Sequence, residues 1–279
     1  MSITDGFTSL LFPRSCVSCD ADIRTGALCS TCDSAIRYLR VTGTITRIPF
    51  VAEAVFGLEI AAVVISAKED NNKNARQYLA QQLLRSLTRA LPRGATAALI
   101  PFPSRRSSDR TRGYKHSELL AKELMLATRT TEISVQICSI FELTREIRDQ
   151  RGLNTEQRVV NLDGALRLSR AGLRRLERLN DSQEGKLGQP LQLGQPLQLD
   201  QPLQLGQPLQ LGQPRTENAI PGVASMVEER NKGPIFVVLM DDVMTSGATI
   251  KAGAAALRSA GIEPDLAILG CVSPRLIYA

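Results

Sequence analysis

The sequence predicts an α/β protein: a parallel sheet flanked by helices, with a small cysteine-rich head in front. Three observations predict it. Residues 235–272 run apolar strand, loop, Ala-rich helix, apolar strand. Residues 50–180 alternate short apolar runs with amphipathic ones. Residues 1–45 hold two tight cysteine pairs. The expected domains are therefore a head over 1–45 and one α/β domain over 50–279, interrupted by a low-complexity stretch at 185–215.

The head comes first. Cys16-Val-Ser-Cys19 and Cys29-Ser-Thr-Cys32 are C-x-x-C pairs nine residues apart. Such a turn supplies two thiolates, and two turns close a tetrahedral Zn²⁺ site. In a reducing compartment these pairs read as metal ligands before disulfides or redox pairs. No ligand position is left for water, so the zinc expected on Cys16, Cys19, Cys29 and Cys32 is structural. A head this small cannot build a core without it. Arg14, Arg24, Arg37 and Arg40 make the head mildly basic.

In the alternating zone, Ala75, Leu79, Leu83, Leu84, Leu87 and Leu91 fall at helical spacing. They predict an amphipathic helix over Asn74–Ala90. Ala97–Pro101 (AALIP) suits a buried strand. Ser117–Leu126 reads as a helix with Ser117 as its N-cap, and Val135–Leu143 as a strand. From Gly188 through Pro214 the chain repeats GQPLQL, with Asp200 in place of one glycine. Proline at every sixth residue forbids a continuous helix or a central strand. The repeat is expected to be a flexible, partly polyproline-II insertion on the surface of one domain. Proline and glutamine fill the wrong places for a hexapeptide β-helix.

Composition narrows the classes. Of 279 residues, 43% are hydrophobic, enough for a core, but aromatics are only 4% and Trp is absent, so aliphatic side chains must fill it. The net charge of +6 suits anionic ligands such as phosphates or nucleic acid, without choosing between them. The longest strongly apolar stretch, Ile60–Ile65, is far short of the ~20 residues of a membrane helix. The opening residues lack a basic segment followed by a long apolar run, so no signal peptide is read and a cytoplasmic location is expected.

The most informative stretch is Val237–Ile250 (VVLMDDVMTSGATI). Six apolar residues, Ile235–Met240, end at Asp241 and Asp242. A turn with Thr245, Ser246 and Gly247 leads into a helix over Ala248–Ala260. Gly261 closes that helix as its C′ residue. Asp265–Val272 is the next strand of a parallel crossover. Ligands of open α/β sheets bind beyond the carboxyl ends of the strands. Free N–H groups at a helix start favour an anion. Thr245, Ser246 and Thr249 add hydroxyl donors, and Gly247 lets the backbone approach a ligand closely. Carboxylates facing a phosphate would repel it. Asp241 and Asp242 are therefore expected to hold sugar hydroxyls, or through those hydroxyls to help hold Mg²⁺.

This order of residues closely resembles the phosphoribosyl-pyrophosphate (PRPP) motif of type I phosphoribosyltransferases, with Ser246 where a second Thr is usual. The resemblance implies that fold. It implies ribose contacts from Asp241 and Asp242, and 5-phosphate binding by Thr245, Ser246, Gly247, Ala248 and Thr249. Other segments are similar to the competence-related ComF family. Pro101–Leu124 carries Pro-x-Pro, a basic loop, Arg-Gly-aromatic and Leu-Leu-Ala. Arg145–Leu166 carries Gln150, Gly152, Leu153, Arg158 and Asn161 in order. Ser66-Ala67-Lys68 occupies the place of an early lysine, and the paired cysteines complete the set. The likeness covers nearly the whole chain except the repeat. Lys115 departs from a usual Asn, and His116 from a common Gln.

The family likeness implies an N-terminal zinc ribbon and places Lys68 near the pyrophosphate. Arg105, Arg106, Arg110, Arg112 and Lys115 form a basic stretch whose guanidinium forks suit phosphate, with Arg112 among the expected contacts. A solvated loop is the alternative. Cys138 and Cys271 are expected to be buried core thiols, and His116, the one histidine, to be structural. Two functions follow. One is Mg²⁺-dependent pentosyl transfer from PRPP to an acceptor. The other is non-catalytic nucleic-acid handling of the DNA-uptake type, with single-stranded DNA as partner. The sequence names neither an acceptor nor an oligomeric state.

Overall fold

The computed structural model describes residues 14–37, 40–147, 154–162, 164–187, 227 and 235–276. The GQPLQL repeat lies outside the described residues, as do Gln150, Gly152 and Leu153. The head contains β1 (Arg14–Ser15), β2 (Asp22–Ile23) and α1 (Ser30–Arg37). A hairpin follows, β3 (Val41–Ile45) and β4 (Ile48–Ala52), then α2 (Leu58–Lys68) and α3 (Lys73–Ala90). Next come β5 (Thr96–Pro101), α4 (Arg106–Arg112), α5 (His116–Ala127) and β6 (Ser134–Ile137). β7 (Phe141–Leu143), α6 (Thr155–Leu162), β8 (Leu166–Leu168) and α7 (Arg170–Leu187) form a side layer. β9 (Phe236–Met244), α8 (Ala248–Arg258) and β10 (Leu266–Val272) close the fold.

The main sheet has six strands in the order β3-β4-β10-β9-β5-β6. All neighbours are parallel except the β3–β4 hairpin. Parallel strands buried on both faces are expected to be near-continuous apolar runs, as β10 is and as β9 is from Phe236 to Met240 before its two aspartates. On one face Val238, Met240 and Ile268 join Val63 of α2, Leu79 and Leu83 of α3 and Leu120 of α5. On the other, Val237, Leu239 and Leu269 join Leu176 of α7 and Ile250, Ala254 and Leu257 of α8. This is an α/β protein with a mixed, mostly parallel sheet flanked by helices, compatible with a type I phosphoribosyltransferase-like fold.

Local rules explain the element ends. Asn72 caps α3 by accepting from the Ala75 amide at 3.1 Å. Gly261 ends α8 in the left-handed region at φ 75°. There the Ile262 amide donates to Leu257 at 3.0 Å and the Gly261 amide to Arg258 at 2.9 Å, the paired bonds of a Schellman close.

Three expectations need correction. Helix α5 starts at His116, with Lys115 at the cap position and no side-chain cap bond, so Ser117 lies inside the first turn. The expected strand Val135–Leu143 is two strands in different sheets. Between them the Ile140 amide donates to the Cys138 carbonyl at 2.8 Å, a three-residue turn that leaves both side chains fully buried. Finally, β9 runs on to Met244, so Asp241 and Asp242 stand inside a strand and not after it. Among the described residues no helix is long and apolar enough to cross a membrane.

Candidate functional site

Topology marks one place on the sheet before any side chain is considered. From β5 the chain passes through α5 to β6, outward on one side. From β9 it passes through α8 to β10, outward on the other. Helix α5 packs on one face and α8 on the opposite face. The neighbouring β5 and β9 thus form a topological switch point, the place at which open α/β sheets bind their ligands. Asp241, Asp242 and Thr245–Thr249 lie at that end of β9.

Two adjacent carboxylates fit there because side-chain alternation slips at this point. Val238, Met240 and Val243 pack with one cluster, and Val237, Leu239 and Met244 with the other. The slip falls between Asp242 and Val243, beside Gly270 of β10. A Cβ on Gly270 would lie 2.7 Å from the Asp242 carbonyl oxygen, so only glycine allows this approach. Each acid also accepts from the next amide: Asp241 from the Asp242 N–H at 3.0 Å, Asp242 Oδ1 from the Val243 N–H at 2.9 Å.

The structure brings Lys68 to Asp242. Lys68, the last residue of α2, donates from Nζ to Asp242 Oδ2 at 3.1 Å. His116, the first residue of α5, has Nε2 at 3.4 Å from the same oxygen. Beneath, the buried Cys271 thiol donates to the Asp242 carbonyl at 3.7 Å. Burial opposes the Asp242 carboxylate, but the Lys68 ammonium and His116 outweigh it and hold its pKa well below the usual range. Burial, and then the Asp242 charge, push Asp241 well above that range. The Asp242 charge raises Lys68 against the opposing effect of burial. Burial, followed by the two carboxylates, pushes the Cys271 thiol well up.

Arg112 lies near Lys68 but is buried against acids. Its side chain is 6% exposed and meets Asp109 at 3.2 Å and Glu69 at 3.8 Å. Lys115 is held by Glu118 at 2.9 Å, and Arg106 donates to the Leu143 carbonyl at 3.3 Å. Much of the basic stretch is therefore compensated locally. Tyr114 was legible only as the aromatic of an Arg-Gly-aromatic run. In the structure its hydroxyl donates to the Lys68 carbonyl at 2.7 Å and accepts from the Asn71 amide at 3.0 Å. It ties the main chain that carries Lys68 to the loop between α4 and α5.

Within the turn, Thr245 is exposed, Thr249 half-buried, and Ser246, Gly247 and Ala248 buried. Gly247 is in the left-handed region at φ 70°. An added Cβ would fall on Cδ1 of Ile45, a buried residue of β3. Gly247→Ala is therefore expected to cost about 1–3 kcal/mol from backbone strain and overpacking. A urea midpoint shift with unchanged slope would check this.

At the head, the Sγ atoms of Cys16, Cys19, Cys29 and Cys32 all lie within 4.8 Å of one another. Cys19 and Cys29 are 3.7 Å apart, and all four are free thiols. Zn–S bonds of about 2.3 Å in a tetrahedron set S···S near 3.8 Å, whereas a disulfide needs about 2.05 Å. Four close cysteines that could hold a zinc ion are thus assembled. The first turn bends at Asp20 (φ 59°), whose amide donates to the Cys16 carbonyl at 2.9 Å. The Val17 amide donates to Ala27 at 3.0 Å and couples the two turns. Burial pushes Cys32 up to about 12. At Cys16 burial is outweighed by main-chain N–H groups of Cys29, Ser18 and Cys19, which bring it to about 6. A bound cation would deprotonate all four outright. Cys138 and Cys271 are fully buried, as expected of core thiols.

Fold and site together define an α/β protein with an acid–lysine–histidine cluster at a sheet switch point and a four-thiol cluster fit for a metal. No family model matches the chain, and no curated protein matches it.

Proposed function

We propose that this chain is a ComF-like, type I phosphoribosyltransferase-like protein that binds a phosphoribosyl ligand such as PRPP at the carboxyl end of β9, and that its head is a structural zinc ribbon. The observation that carries the reading is the position of the acid pair and the Thr245–Thr249 turn beside the β5–β9 switch point. An anion is favoured where α8 begins, because its first N–H groups are unpaired within the helix. In this reading Asp241 and Asp242 receive the ribose hydroxyls, and Thr245, Ser246, Gly247, Ala248 and Thr249 cradle the 5-phosphate. Lys68 swings to the pyrophosphate, and Arg112 adds positive charge behind it. Bound together with PRPP, Mg²⁺ would supply positive charge to the pyrophosphate, and Asp241 and Asp242 would help hold it through the ribose hydroxyls. Pentosyl transfer would draw on this preorganised charge to hold the departing pyrophosphate.

The test is calorimetric titration of the full chain with PRPP plus Mg²⁺, beside single-stranded DNA. The expected result is a dissociation constant on the order of micromolar for PRPP, lost in the double variant Asp241→Asn/Asp242→Asn. Pyrophosphate release with an acceptor supports catalysis. Salt-sensitive DNA binding with no PRPP heat would replace this reading with the nucleic-acid one.

A further inference from the structure

We infer that His116 is a positioning residue that takes over the Asp242 carboxylate when Lys68 turns to an anionic ligand, gaining a proton from solvent as it does so. This rests on the phosphoribosyl reading above. Asp242 Oδ2 is shared by Lys68 Nζ at 3.1 Å and His116 Nε2 at 3.4 Å. Of the two, Lys68 can leave. Its side chain is 33% exposed, against 2% for His116. Tyr114 pins the Lys68 carbonyl, so the main chain stays while the ammonium swings on its four-carbon stem. Departure of Lys68 leaves a buried carboxylate with the Val243 N–H on Oδ1 and only the long 3.4 Å approach of His116 on Oδ2. An uncompensated buried charge is costly.

His116 is suited to replace it. Nδ1 has no hydrogen-bond partner among the described residues and Nε2 has only the long 3.4 Å approach to Oδ2, although the side chain is 2% exposed. Buried polar atoms without partners are uncommon, and Nε2 already faces Oδ2. Imidazole takes up a proton in the physiological range.

The groups around it are few. Asp241 and Asp242 of β9, Lys68 of α2 and the Cys271 thiol of β10 meet at this point. Arg112 of α4 is turned to Asp109 and Glu69, and Arg76 of α3 to Asn71. On its own helix Glu118 pairs with Lys115. Withdrawal of Lys68 removes one positive charge from beside two acids, and a proton on the ring restores it. No bond to the ligand forms.

Two measurements on the full chain test this, with PRPP plus Mg²⁺ as the probe. In calorimetry at one neutral pH, binding heats should differ between Pipes and Tris, reporting proton uptake. That difference should vanish in His116→Gln, which should still bind PRPP but about tenfold more weakly. The protein has a single histidine, so in an untagged chain with ¹⁵N-labelled histidine the ring signals belong to His116 alone. They should move to the protonated position on PRPP addition, a readout that needs no variant to fold. Equal heats in both buffers, an unmoved ring signal, or uptake that survives in His116→Gln would overturn the inference and leave the ligand reading standing. Absence of PRPP binding by the wild-type chain would instead remove the ligand reading, and this inference with it.

Discussion

Serine at Cys16 and Cys32 together is expected to strip the metal from the head and to lower the stability of the whole chain by more than about 3 kcal/mol. Structural zinc sites in small peptides bind with about 10–16 kcal/mol, nearly all of it coupled to folding. The expected loss is a modest share of that. Cys16 is fully buried and Cys32 is 9% exposed, so each serine would leave a hydroxyl in apolar surroundings. The damage would not stay local. Ala27, Leu28 and Ile36 of the head belong to one buried cluster with Val63 of α2 and Leu79 of α3, which cover a face of the main sheet. At about 2–4 °C per kcal/mol, the thermal midpoint should fall by at least about 6 °C. Metal analysis of mildly purified protein should give one zinc per wild-type chain and none in the variant. A wild-type chain without zinc, or a midpoint unmoved by the substitutions, would count against the structural-metal reading.

Much of this architecture can be read from residue order, and the failures have physical causes. Helix α3 was legible because one face buries Leu79, Leu83 and Leu87 while the other carries exposed Gln77 and Gln81 and half-buried Arg85. The β9–α8–β10 crossover was legible because parallel strands are uniformly apolar and Gly261 marks the helix end. Helix α2 was not. Its sequence LEIAAVVISAK is apolar on nearly every side, with Leu58 and Ile65 exposed, so no helical stripe stands out. The hairpin β3–β4 straddles the boundary expected between head and domain and is joined by Thr46 and Arg47 in the left-handed region, where neither glycine nor asparagine gives warning. The end of β9 was misplaced because two aspartates ordinarily stop a strand. Here the slip beside Gly270 and the partners Lys68 and His116 let the strand continue. Those partners are 174 and 126 residues away in the chain, so no local pattern announces them. Arg112 is read from the sequence as a phosphate contact, but only the fold reveals that Asp109 and Glu69 engage it.

The acid pair makes the sharper test, because the same substitution at adjacent positions should act in opposite directions. Asp242→Asn is expected to destabilise the chain by about 1–3 kcal/mol. Breaking a fully buried ion pair costs about 3–5 kcal/mol, and the 33% exposure of the Lys68 side chain reduces that. Asp241→Asn is expected to stabilise it at neutral pH, because burial and the neighbouring Asp242 charge oppose ionisation of Asp241. The signs follow from linkage. Asp242 has a lowered folded-state pKa, so its contribution is present above the ordinary carboxylate range and is lost as pH falls through the folded value. Asp241 has a raised one, so its contribution is full below about pH 4 and is lost as pH rises through the folded value. The gain from Asp241→Asn should therefore grow from acid toward neutral pH, while the loss from Asp242→Asn should shrink in acid. Urea midpoints across that range would show both slopes. If Asp241 receives a ribose hydroxyl, the stabilised Asp241→Asn chain should nonetheless bind PRPP poorly, which is the signature of an acid kept for a ligand at a cost to the fold. Equal destabilisation by the two variants would show that Asp241 is an ordinary structural partner and would remove the reason for assigning it to a ligand.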